Sequence, residues 1–490
     1  MNRNEKPLLN NQDSRSDRLW SAAAVLPALA FWQVLSACLR QNILLPSPWQ
    51  VCVRLGSLWH EDGFLHTILF SGSRICGGLL AGLAAGILLG WAASRSRHLE
   101  LLLRPWMTAV KSVPVTAFIV ILLIWISGRR LSVPIAAMVV LPIVYQNVLT
   151  GCRSVDLRMR EMAQIFRFSR AERFRMITWP ALWPYLYAAC RTAAGMAWKA
   201  GIAAEILGTP QGSIGKQMYL SKTILDTETL LAWTVIAVLL GVLSEKAVLW
   251  LLSGANRQLM SCMNRHIPGE WITDTAGQST EAADAGRKNQ NSGRSREQTD
   301  IILSHISKSY GEKLVLEDLS AVFPAGKVSI IRGPSGAGKT TLTRLVMGLE
   351  EPDGGTVEGV PERISAVFQE DRLCEQMTVL QNVLAGSAAP AGRSLAEEHL
   401  RDAGLGDSLL LPVSACSGGM KRRTAIVRAV LADSELMILD EPFSGLDPET
   451  RSEVKRYIER HTAGRTVLLV SHEEDAEWKE SALLLTGKSD

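Results

Sequence analysis

Apolar and polar positions follow one pattern in the first half of the chain and another in the second. Long apolar runs occupy 20–39, 65–93, 113–126, 131–150, 181–207 and 229–252. Most approach the roughly 20 residues that a helix needs to cross a bilayer, so they predict an all-α, six-span membrane domain. The third run is short between Pro114 and Gly128, and 101–110 extends it around Pro105. From 301 onward short apolar strands alternate with amphipathic helices, the pattern of a soluble α/β domain. Between the halves, 271–299 has hardly any large apolar group and reads as a flexible tether. The resulting division is a tail 1–18, a membrane domain 19–255, a linker 256–300 and an α/β domain 301–490.

Charge adds orientation. The formal net charge of +4 over 490 residues is unremarkable, but the placement of arginine is not. Arg3, Lys6, Arg15 and Arg18 precede the first run; Arg95, Arg97 and Arg104 follow the second; Arg257 and Arg265 follow the sixth. By the positive-inside rule both ends face the cytoplasm, with Arg129 and Arg130 discordant. The first run is too long for a signal peptide and reads as a retained span. Eight cysteines form no CxxC pair or Cys/His cluster, so neither zinc nor a disulfide framework is indicated.

The loop 151–180 departs from a plain turn. It carries Arg153, Arg158, Arg160, Arg167, Arg170, Arg173 and Arg175, yet also Met162, Ile165, Phe166, Phe168, Phe174 and Ile177, which are apolar surface to dock. In the fifth run Arg191, Trp198 and Glu205 recur every seventh residue on one helix face with Lys199 beside them. They are candidates to line a solute path, one in which Arg191 or Lys199 would favour anions; the plainer reading is helix packing and snorkelling. The glycines of the second run (Gly77, Gly78, Gly82, Gly86, Gly90) read as close-packing positions.

Candidate chemistry lies in the second half. A buried strand over 329–332 runs into Gly333, Pro334, Ser335, Gly336, Ala337, Gly338, Lys339, Thr340 and Thr341. This is GxxxxGK[ST] between a strand and a helix. Its amides and the helix N-terminus cradle phosphates, its lysine reaches the outer phosphates and its threonine holds Mg²⁺. Downstream, the apolar strand 436–439 ends in Asp440 and Glu441, which fit a metal ligand and a water-activating base.

With these residues in order, the half from about 301 resembles the ATP-binding cassette (ABC) ATPases. Beyond the phosphate loop and the acidic strand end it has Gln369 in VFQEDRL, like the glutamine loop, and Ser417-Gly418-Gly419, like the signature motif. Cys416 and Met420 stand where leucine and glutamine are commonest. SGLD follows Glu441, His472 follows the strand 466–470, and Tyr310 stands where the family stacks an aromatic on adenine. The resemblance implies ATP and Mg²⁺ as cofactors. Thr340, Gln369 and Asp440 would lie at the metal, Glu441 would be the base, and His472 would hold the γ-phosphate. It also implies a dimer in which Ser417–Gly419 completes the partner's nucleotide site.

The membrane half resembles permeases of the nitrate/sulfonate/taurine/bicarbonate importer group through LPSPWQV (45–51), the second span with Arg74, and 151–180. That group's coupling loop begins Glu-Ala-Ala, has glycine four residues on, and ends Ile-x-Leu-Pro. Here Glu161, Ala163, Ile177 and Pro180 keep the register, while Met162, Arg167 and Trp179 depart from it. The implied fold is a short helix, a turn at Arg167 and a second helix, with 161–166 docked beside Gln369. The implied function is ATP-driven uptake of a small, anionic solute across the cytoplasmic membrane, permease and ATPase in one chain. The implied partners are a second half (identical or not), an extracytoplasmic solute-binding protein and membrane lipid; nothing calls for nucleic acid. A half-exporter and a non-transport ATPase regulator are the alternatives, and a neutral pyrimidine is the alternative solute.

Overall fold

The computed structural model describes residues 13–39, 44–265, 299–386, 392–471 and 482–484. His472, and the predicted tether apart from Thr299, lie outside them. The chain divides into two compact units, Met1–Ser154 with Leu182–Ala255 and Val155–Ala181 with Asn256–Asp490.

The first unit is helical: α1 (Asp13–Leu39), α2 (Pro48–Leu58), α3 (Phe64–Arg95), α4 (Arg97–Ser112), α5 (Val115–Trp125), α6 (Ser132–Arg153), most of α9 (Trp179–Gly208), α10 (Ile214–Thr223) and most of α11 (Thr227–Arg265). Among the described residues, α3, α6 and α11 are long and apolar enough to cross a membrane by themselves, and α4 with α5 makes a fourth span only as a pair bent by 102°. The predicted third run is therefore broken, and not at Pro105. Pro105 lies inside α4, while the chain turns at Val113-Pro114. Val113 sits at φ −79°, ψ 131°, as its position before proline requires.

α3 and α6 pack backbone to backbone. A Cβ on Gly78, Gly82, Gly86 or Gly90 would come within 2.5–2.8 Å of α6, whereas one on Gly77 would meet nothing. Across the bundle, Glu205 of α9 is fully buried and accepts from Ser71 (2.7 Å) and Ser132 (3.3 Å) side chains and from the Gly215 amide (3.3 Å). One carboxylate thus ties α3, α6, α9 and α10, a fully partnered arrangement that makes buried polar groups tolerable in a bundle.

The second unit holds two sheets. Antiparallel β1 (Ile301–Tyr310), β2 (Lys313–Phe323) and β4 (Gly354–Glu358) are ordered β2-β1-β4. The other is ordered β5-β6-β7-β3-β8, formed by β3 (Val328–Arg332), β5 (Ile364–Val367), β6 (Leu436–Asp440), β7 (Thr466–Val470) and β8 (Ala482–Leu484), all parallel. Strands β6 and β7 are buried at every position, as expected of strands covered on both faces. Helices α12 (Lys339–Val346), α13 (Val379–Gly386), α14 (Arg393–Asp402), α15 (Gly418–Leu431) and α16 (Pro448–His461) complete the domain. Helices α7 (Leu157–Ile165) and α8 (Arg170–Arg173) belong to this unit too, and Met162, Ala163, Ile165, Phe166, Phe168 and Ile177 are buried in its core.

Candidate functional site

In a parallel sheet the loops after successive strands leave from one edge, where ligands bind. Register aligns Ile331 and Asp440 with Val470, and Val367 with Leu439. The phosphate loop, Gln369, Asp440 and Glu441 therefore emerge on the same side because their strands run parallel and in register.

The loop from Gly333 to Gly338 reverses the chain between β3 and α12. Gly338 sits at φ +87°, and a Cβ there would lie 2.7 Å from Leu316 Cδ2, so both conformation and space demand glycine. Lys339 is 6% exposed, its Nζ donating to the Gly333 (2.8 Å) and Pro334 (2.9 Å) carbonyls. Burial lowers its pKa, against the attraction of Glu441 and Asp440. Such an ammonium, held on carbonyls at the mouth of the loop, can exchange them for phosphate oxygens.

Asp440 closes β6 and is buried, and its Oδ1 has no hydrogen-bond partner. Burial, followed by repulsion from Glu441, raises its pKa to about 6, while the Thr340 hydroxyl bonds to the carboxyl and partly offsets this. An orphaned buried carboxylate oxygen beside a threonine hydroxyl fits a hard divalent cation such as Mg²⁺. Glu441 follows with φ +49°, in the left-handed region. Gln369 is exposed, two residues beyond β5. Ser417 caps α15, accepting from the Met420 amide at 3.3 Å, with Ser417 and Gly418 exposed. Tyr310 is 46% exposed and its hydroxyl bonds to Glu350.

Arg422, which the sequence reading did not single out, organises this edge. It is 3% exposed, and its guanidinium donates to carbonyls on both sides of the site: Phe368 (2.6 Å) and Gln369 (3.3 Å) on one, Asp440 (2.9 Å), Glu441 (2.5 Å) and Pro442 (3.1 Å) on the other. It also meets the Asp371 carboxylate at 3.2 Å. One side chain thus brackets the backbone of the glutamine loop to the backbone carrying Asp440 and Glu441. Its place two residues past Met420 was the only signal in the sequence.

The segment 155–181 is fixed to the domain beside this bracket. Glu161 accepts from Arg344 on α12 (2.7 and 3.2 Å) and from Arg372 (2.8 Å), three residues past Gln369. Burial alone would raise the Glu161 pKa, but Arg344 and then Arg372 hold it below the usual carboxylate value. Arg372 lies on the Phe368 ring at 3.8 Å, Arg428 on the Phe166 ring at 4.7 Å, and Arg158 pairs with Glu370 at 2.7 Å. After α7 the Arg167 amide donates to Gln164 (3.1 Å) and the Phe168 amide to Ala163 (2.9 Å), the paired bonds of a Schellman turn. Arg167 occupies the left-handed position at φ +53°, and its Nη2 donates to the Glu362 carbonyl at 2.6 Å. Ile177 lies in a π-helical turn, Phe174–Thr178, and Pro180 in the first turn of α9.

The four candidate path residues are not brought together. Trp198 is 5% exposed with its indole donating to Ser244 (2.6 Å), Glu205 is the fully partnered tie already described, and Arg191 pairs with Glu245 at 3.3 Å. Lys199 alone is exposed with no partner among the described residues.

Residues 316–444 match the family model "ABC transporter" and residues 82–253 the model "Binding-protein-dependent transport system inner membrane component". The chain is 40% identical over 180 residues to the aliphatic sulfonates import ATP-binding protein SsuB 3 of Rhodococcus jostii (36% of this chain, 66% of that protein). It is 40% identical over 192 residues to SsuB 1 of the same organism (37% and 77%). With the Nod factor export ATP-binding protein I of Sinorhizobium fredii it shares 36% identity over 206 residues (38% and 60%). The chain thus spans 66% of the first and 60% of the third of these relatives, less than two thirds of each. A solved dimeric cassette, MJ0796 bound to ADP and Pi, aligns with 25% identity and a TM-score of 0.35 over 38% of this chain and 94% of that one. The chain belongs to the ABC transporter family, with an importer-like permease domain and an ATP-binding ABC ATPase domain in one polypeptide.

Proposed function

We propose that the chain is half of an ATP-driven importer of a small anionic solute of the sulfonate, nitrate, taurine or bicarbonate kind. The observation that carries the reading is the match of 82–253 to a binding-protein-dependent inner-membrane component joined to a cassette whose relatives include sulfonate-import proteins. In this reading the chain crosses the cytoplasmic membrane six times, with its N-terminus and cassette in the cytoplasm, and an extracytoplasmic binding protein delivers the solute.

Mg²⁺, held by Thr340 and Asp440 with Gln369 nearby, would draw charge from the γ-phosphate. Lys339 and the loop amides bind the β- and γ-phosphates, and Tyr310 offers its ring to adenine. Glu441 takes the proton of the attacking water, with His472 at the γ-phosphate. The Ser417–Gly419 end of α15, exposed at Ser417 and Gly418, completes the site of a second cassette, so the working unit is a dimer, of two copies or of this chain with another half. Glu161, Ala163, Arg167, Ile177 and Pro180 carry nucleotide state to the permease, and Lys199 is the residue retained as a candidate for the solute path.

Reconstitution of the full chain with its binding protein into liposomes tests this. ATP-dependent influx of one of these anions, abolished by Glu441→Gln, is the expected result. Efflux, or ATP turnover with no solute movement, would overturn the importer reading.

A further inference from the structure

The first unit contains a cavity of about 450 Å³ between α4 and α6 that none of the proposed transport chemistry uses. Its walls include Arg104 and Lys111 of α4, Arg153 of α6 and the carboxylate of Glu100. That carboxylate is already engaged, by Arg153 at 2.9 and 2.6 Å and by Arg97 at 3.2 Å. Arg104 and Lys111 have no ion-pair partner among the described residues. Tyr145 of α6 also lines the cavity; it is 2% exposed, and its hydroxyl is buried with no hydrogen-bond partner.

α4 is built to hold this cavity at an interface. Glu100, Arg104, Thr108 and Lys111 recur at spacings of four, four and three, so they form one polar stripe. Leu102 and Trp106 lie on the opposite side, 64% and 68% exposed. An amphipathic helix with a tryptophan on its apolar face lies at headgroup depth. The 102° bend into α5 then sends the chain away from that direction. Met107, Tyr145 and Leu149 pack together as an apolar floor. Basic pockets between membrane helices select phosphate-bearing headgroups.

We infer that the cavity between α4 and α6 binds a phosphate group, held by Arg104 and Lys111 above the apolar floor, and that an anionic phospholipid supplies it. The depth of α4 favours a headgroup over free phosphate.

The test uses the full-length chain in nanodiscs and native mass spectrometry after partial delipidation. In phosphatidylglycerol the wild type should retain a bound lipid that it does not retain in phosphatidylcholine. The Arg104→Gln/Lys111→Gln variant should lose at least fivefold of that retention, whereas Arg257→Gln, outside the cavity, should lose none. Equal retention by the double variant and wild type would overturn the site. So would a wild type that retains neither phosphatidylglycerol nor inorganic phosphate. Millimolar inorganic phosphate that displaces the lipid and binds equally well in phosphatidylcholine discs would uphold the phosphate site and overturn its lipid source. Both of the last readouts use the wild type, so they stand even if a variant misfolds.

Discussion

Glu161→Ala is the perturbation that most directly tests how 155–181 is held. The wild-type carboxylate takes three hydrogen bonds from two arginines, with Glu161 and Arg372 side chains 11% exposed and Arg344 23%. Breaking a fully buried pair costs about 3–5 kcal/mol, and an exposed one contributes about 0.2–1 kcal/mol. At these exposures the loss falls between, at about 2–3 kcal/mol. Arg344 keeps Glu350 at 2.5 Å; Arg372 keeps no hydrogen-bonded carboxylate among the described residues and stays on the Phe368 ring. The cost therefore falls mainly on the strand-end loop that carries Gln369. At 1.4 kcal/mol per tenfold, the docked population should shift by about 30- to 150-fold.

Hydrogen exchange of amides 157–178 in the full chain should quicken by about that factor, and solute-stimulated ATPase should fall with it. Glu161→Ala combined with Arg372→Met should lose less than the sum of the two, because the second change removes the stranded charge. The pH dependence has a definite sign. The Glu161 pKa is lowered in the folded state, so its contribution is fully present above the unfolded value near ~4.3. It is lost only as pH falls through the folded value. Docking should thus be flat from pH 6 to 8. Exchange and coupled ATPase both within twofold of wild type in Glu161→Ala would refute the assignment.

Arg167→Gly should leave the melting temperature within a few degrees of wild type, because relief of about 1 kcal/mol of left-handed strain offsets the lost bond to Glu362. Arg167→Glu keeps the strain and faces the Glu362 carboxylate, so its coupled ATPase should fall several-fold. Arg422→Gln should lower kcat at least tenfold while ATP affinity changes less than threefold, since Arg422 holds the backbone around Glu441 and Gln369 and not the phosphate loop. Arg422→Lys should not rescue it, because an ammonium lacks the planar fork that reaches both sides; an equal loss in affinity and kcat would count against the bracket. With Asp440 titrating near about 6, Mg²⁺ must displace a proton below that pH. Apparent Mg²⁺ affinity, measured by nucleotide binding, should therefore weaken as pH falls from 7 to 5 and stay constant above 7.

What the sequence disclosed depended on how local the interaction is. The phosphate loop was legible because strand, glycines, lysine and helix are contiguous, and Gly338 is required by its own φ and by one neighbour, Leu316. The glycine stripe of α3 was legible as a packing face from its spacing, yet only α6 distinguishes Gly78 from Gly77. The third run was legible as short from Pro114 on, with 101–110 extending it around Pro105; Pro105 is tolerated within α4, and the bend falls where Val113 is already extended.

Arg422 was barely legible, marked only by its place two residues past Met420. Its partners lie 54 residues upstream at Phe368 and 18 downstream at Asp440, and nothing local marks an arginine for burial. Arg167 is the opposite case. It departs from the glycine pattern, yet the expected turn is there: the Schellman bonds form around it and its guanidinium finds Glu362. The residue gives up conformational ease and gains a contact that glycine cannot make. For that reason the Arg167→Gly and Arg167→Glu variants must be compared with each other as well as with wild type. The first removes the contact along with the strain, the second removes the contact, keeps the strain and adds a like charge beside Glu362, and the difference between them measures what the left-handed backbone and the new charge cost together.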